Sequence, residues 1–157
     1  MSHHLREAGR RREHRSFYYD LLRVPYAQGG RDAAKGLDCL GVVWEVLRRL
    51  KGQKVERMLS SIPSDPPKSV ELSTTIAHLA AVRRDWLLMS KGRLPKDAKL
   101  GDVVLQMIGL EHDTPHVSVV VWNEAPVTLL TAHKAKGVVA VPASKAQGVV
   151  AVYRLKD

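Results

Sequence analysis

A single cysteine stands in the chain, so no internal disulfide can hold the fold together and no oxidising compartment is needed. Aromatic residues make up only 5% of the sequence. No basic stretch interleaves them, so the stacking platform of a single-strand nucleic-acid binder is missing. Apolar runs are short: Val119 to Trp122 and Val138 to Val141 fall far below the roughly 20 residues that span a bilayer. The first residues, MSHHLREAGRRREHR, contain no apolar stretch that could act as the core of a signal peptide. The expectation is a chain made in the cytoplasm without a signal peptide and with no membrane partner. Internal repeats and low-complexity tails are also lacking.

What is present fits one globular domain. The chain has 157 residues, 45% hydrophobic and 26% charged, enough for a real core. The formal net charge is +9. Arg6, Arg10, Arg11, Arg12 and Arg15 crowd the start, so residues 1–15 read as a basic arm and 16–157 as a single domain. Such charge serves solubility, or attraction to a polyanion. With so few aromatics, nucleic acid is the weaker of the polyanion readings.

Element patterning changes along the chain. Arg12 to Arg23 reads as a first helix, ended before Pro25 because the residue preceding a proline avoids the helical region. Tyr26 to Leu37 is a glycine-bearing loop. Cys39 to Lys51 is a second, amphipathic helix, with Val43, Val46, Leu47 and Leu50 at helical spacing and Gly52 as its stop. The proline-rich stretch Ser60 to Lys68 blocks regular structure. Val70 to Ser90 reads as a third helix. From Asp102 onward the runs are short and β-branched: Val103 to Ile108, His116 to Trp122, Val127 to Thr131, Gly137 to Val141 and Gly148 to Leu155. Helices followed by strands predict an α+β fold, N-terminal helices packed on a C-terminal antiparallel sheet of about five strands.

The segment VPYAQGGRDAAKGLDCLGVVWEVLRRLKG, from Val24 to Gly52, is the most informative. Its cysteine, Cys39, opens the second helix, where unpaired N–H groups and the helix dipole favour a thiolate. Asp38 precedes it as an N-cap. Taken alone, a cysteine beside Leu37, Leu40, Val42 and Val43 is more simply a small buried hydrophobe.

The motif PY-x-x-GG followed by DC-x-G and an apolar helix resembles the NlpC/p-sixty cysteine peptidases of bacterial cell walls. Pro25, Tyr26, Gly29, Gly30, Asp38, Cys39 and Gly41 carry that resemblance. Gly101-Asp102-Val103-Val104-Leu105 is similar to the family's first core strand. His116-Val117-Ser118-Val119-Val120-Val121 is similar to the strand that opens with the catalytic histidine. Thr131-Ala132-His133 falls where the family keeps a third polar residue, usually His. The compact members of prophages and phage-like tail clusters, which often read DCLG, are the most similar.

The resemblance implies a papain-like core and a cysteine endopeptidase with Cys39 as nucleophile, His116 as base and His133 as orienting residue. Tyr26 would polarise the scissile carbonyl, and Asp38 would cap the helix or meet a substrate amine. The implied substrate is the peptidoglycan stem peptide, and no cofactor is implied. The implied partners are phage-tail or secretion-apparatus proteins, with the enzyme virion-associated or delivered to the periplasm or cell wall. Leu40 stands where the family commonly has Ser, which affects substrate detail rather than the nucleophile. Glu111, His112, Asp113 and His116 could suggest zinc. Pro115 argues against a helix there and no cysteine pair supports a site, so no metal is expected. A non-catalytic tail or wall-binding module of the same fold is the alternative.

Overall fold

A helix over residues 39–51 satisfies both its ends and its apolar stripe. In the computed structural model, which describes residues 17–52, 86–111 and 114–156 (side chains of 114 and 115 excepted), α1 spans Cys39–Lys51. The Gly41 N–H donates to Asp38 Oδ1 at 2.7 Å, the reach of an N-capping carboxylate. At the other end the Gly52 N–H donates to the Arg48 carbonyl, with Gly52 at φ +66°, a conformation glycine adopts freely. Arg48, Arg49 and Lys51 in the last turn complement the dipole. Leu40, Val42, Val43, Val46 and Leu47 are buried.

Before α1, two short strands, β1 (Arg31–Asp32) and β2 (Gly36–Leu37), form a small hairpin inside the expected loop. The expected first helix is not found over its described part, which holds only a 3-10 turn at Tyr19–Leu21. Tertiary pairing wins there: the Arg23 N–H donates to the Val138 carbonyl and the Val138 N–H to the Val24 carbonyl. The chain must therefore leave helical geometry to lie beside the sheet.

Six strands form the main sheet among the described residues: β3 (Trp86–Lys91), β4 (Val103–Ile108), β5 (Thr114–Trp122), β6 (Thr128–His133), β7 (Gly137–Pro142) and β8 (Val149–Leu155). Their order is β3-β8-β4-β5-β6-β7, with every neighbouring pair antiparallel. Strands β4 to β7 are a meander. β8 then returns to the free side of β4. The protein is thus α+β, with six strands rather than five. The additional one, β3, lies where the third helix was expected to end. Trp86, Leu87, Leu88 and Met89 form an apolar run without clear period, and β8 offers them a ladder. The basic arm, the proline-rich stretch and the rest of that helix lie outside the described residues.

Strand alternation divides the core in two. Val103, Val117, Val119 and Leu130 face α1. Val104, Val120, Leu129 and Val152 face the opposite side, packed with Ala98. Asp102, fully buried, accepts from the Lys99 N–H and from Arg154 Nε and Nη2 at 2.8 Å each, tying the entry to β4 onto β8.

Candidate active site

Cys39 is the first residue of α1, partly buried, and its surroundings are set by the loop before it. Asp38 organises that loop. Besides capping α1, its Oδ2 accepts from the Gly29 N–H at 2.9 Å and its Oδ1 from Arg31 Nη1 at 2.6 Å. The Arg31 guanidinium lies over the Trp44 ring, 4.6 Å from its centre. Both carboxylate oxygens are thus engaged within the protein, which makes Asp38 a loop and helix organiser. Glycine is required at Gly30 and Gly41. A Cβ on Gly41 would meet the Gly30 carbonyl, and one on Gly30 would meet the Gly36 carbonyl.

Tyr26 bridges to Leu37 and stands near Cys39 and Asp38. Burial raises its phenol pKa, and negative charge at Cys39 and Asp38 adds to the shift. The Cys39 thiol is itself pushed up, first by burial and then by the Asp38 carboxylate. The backbone N–H groups of Val117, Leu40 and Cys39 pull the other way. The helix N-terminus therefore does not prevail, and the expectation of a low-pKa thiol is corrected. Burial of the sulfur, with the Asp38 carboxylate one residue away adding to it, outweighs the partial backbone charges.

His116 lies near the start of β5. Burial, and then the charge of His133, lower its pKa from 6.5 to about 4. At neutral pH the pair is a thiol and a neutral imidazole rather than a thiolate and an imidazolium. Alternation sends Val117 toward α1 and His116 to the other face, where it borders a pocket of about 270 Å³ shared with Gln106, Ser118, Thr131 and His133. The imidazole Nε2 lies 2.8 Å from Thr131 Oγ1, and no hydrogen bond joins the ring to the Cys39 sulfur.

The two halves of the site nevertheless meet at one residue. Ladder pairing between β5 and β6 runs from Trp122↔Thr128 only to Val119↔Leu130. Beyond it, the Val117 main chain is left for other partners. Its N–H faces the Cys39 sulfur, and its carbonyl accepts from Thr131 Oγ1 at 2.8 Å. The structure thus groups Cys39 with Tyr26 and Asp38, and His116 with His133, with the Val117 peptide between the groups. His133 is exposed, and its Nδ1 accepts from the Ala135 N–H at 3.2 Å, so it acts on His116 through charge rather than a hydrogen bond.

Thr131 was not singled out from sequence, although it lies in the Thr131-Ala132-His133 segment. Its alternation partner on β6 is Leu129, on the His116 face, which was the available signal. Among the described residues no three His, Cys, Asp or Glu side chains lie close enough to hold a metal ion. Comparison with models of known protein families finds none that matches this chain, and comparison with curated proteins finds no match either.

Proposed function

We propose that the protein is a cysteine endopeptidase with a papain-like core that cleaves amide bonds of peptidoglycan stem peptides. The observation that carries this reading is the placement of Cys39 at the head of α1, with its sulfur facing the N–H of Val117, the residue that follows His116. In the reaction the neutral imidazole takes the thiol proton as sulfur attacks the carbonyl carbon. The oxyanion is met by N–H groups at the head of α1 and by the Tyr26 hydroxyl. The protonated imidazole then gives its proton to the departing amine as the C–N bond breaks. Water, deprotonated by the same ring, releases the acyl group and restores the thiol.

Delivery completes the proposal. No helix among the described residues is long and apolar enough to cross a membrane. A tail-associated or secretion-delivered enzyme fits the resemblance to phage-encoded members, with residues 1–15 as a docking arm.

The missing bond between sulfur and imidazole favours a second reading, a non-catalytic wall-binding module of the same fold. Incubation of the purified protein with defined muropeptides separates the two. The peptidase reading expects a new amine and carboxylate terminus within the stem peptide. Binding to walls without cleavage would leave the module.

A further inference from the structure

We infer that Thr131, rather than His133, positions His116, fixing the ring as its Nε2–H tautomer and leaving Nδ1 as the proton-accepting atom. The argument is one of proton counting. A threonine hydroxyl has a single hydrogen to donate and lone pairs to accept with. The Thr131 hydroxyl sits 2.8 Å from the Val117 carbonyl oxygen, which can only accept. Its one hydrogen therefore goes there. The 2.8 Å contact to His116 Nε2 must then run the other way, with Nε2–H donating to Thr131 Oγ1. A neutral imidazole with its proton on Nε2 has its lone pair on Nδ1.

His133 cannot take this role as it is placed. It lies on the exposed end of β6, and its Nδ1 already accepts from the Ala135 N–H. Thr131, by contrast, is buried, two residues earlier on the same face of the strand. The chain His116 Nε2–H to Thr131 Oγ1–H to Val117 O ends on the residue whose N–H faces the Cys39 sulfur. Ring orientation and thiol environment are thus referred to the same stretch of main chain.

The assignment of Nδ1 as base rests on the peptidase reading, whereas the tautomer itself does not, and the test uses both. Imidazole ¹⁵N shifts are read in the full-length protein and in Thr131→Ser, Thr131→Val and His133→Gln, beside kcat and KM on a stem peptide. The wild type, Thr131→Ser and His133→Gln should share an Nε2–H ring at His116. Thr131→Val, close in shape but without the hydroxyl, should show mixed tautomers and a kcat reduced roughly tenfold, with KM little changed and rescue by Ser. An Nδ1–H ring in the wild type overturns the inference even where a variant fails to fold. So does a Thr131→Val ring identical to wild type, or tautomer loss in His133→Gln. An Nε2–H ring that depends on Thr131, in a protein that cleaves nothing, keeps the positioning and removes the peptidase. Cleavage dependent on Cys39 with a ring indifferent to Thr131 does the reverse.

Discussion

At the scale of single residues, the site is a pair of groups held neutral by burial. Cys39 is raised and His116 is lowered to about 4, so neither carries charge near neutrality. Alkylation of Cys39 should accelerate only above the usual thiol range, about pH 8.5. A reaction rate already on its plateau near pH 6 would show a thiolate and contradict this. His116 also ties stability to pH. The unfolded ring takes up a proton near pH 6.5, whereas the folded ring takes it up only near 4. The unfolded state therefore binds more protons between these values. Stability from the neutral buried ring is complete above about pH 6.5 and is lost as pH falls toward 4, by as much as about 3 kcal/mol. Urea midpoints of wild type and His116→Gln check this. The wild type should lose more stability between about pH 7 and pH 4.5 than the variant does. Equal losses would mean that the ring is already solvated. Cys39 and Asp38 were legible in the sequence because a helix start is local chemistry. Thr131 was not, because its partner is set by the register of another strand.

At the scale of elements, α1 was legible to the residue. Its apolar spacing, its cap and its Gly52 stop all agree, and Cys39–Lys51 is the span found. β4 is likewise found over Val103–Ile108, as its β-branched run implies. The failures share a cause. Residues 17–23 and 86–91 carry apolar side chains without a decisive period, and each lies against a sheet strand whose main chain offers partners. Where local preference is weak, the ladder decides. The joint between the Tyr26–Leu37 loop and α1 gives a prediction at this scale. Asp38→Ala removes a cap, a brace on Gly29 and the partner of Arg31, so it should destabilise by about 2 kcal/mol. Asp38→Asn should lose less, because an amide oxygen still caps. Thermal melts of both variants check the order, and an equal loss would show that the Arg31 ion pair rather than the cap is what matters.

At the scale of the molecule, the strand content was legible but the sheet order was not. Nothing local tells β8 to return beside β4, since that placement depends on a partner 52 residues away: Arg154 reaches back to the buried Asp102. Asp102→Ala should strand a largely buried guanidinium and cost about 3 kcal/mol, read as a drop in urea midpoint. A drop below about 1 kcal/mol would show that the pair is only a surface bridge. The papain-like core and its wall substrate stay with the proposal, which turns on a covalent event at Cys39. The most direct measurement is intact-mass spectrometry of the protein acid-quenched during turnover of a defined stem peptide, with Cys39→Ala alongside. The account predicts a thioester adduct on Cys39 with the mass of the acyl half of the substrate, and neither adduct nor products in the variant. Cleavage by Cys39→Ala at the wild-type rate would contradict it.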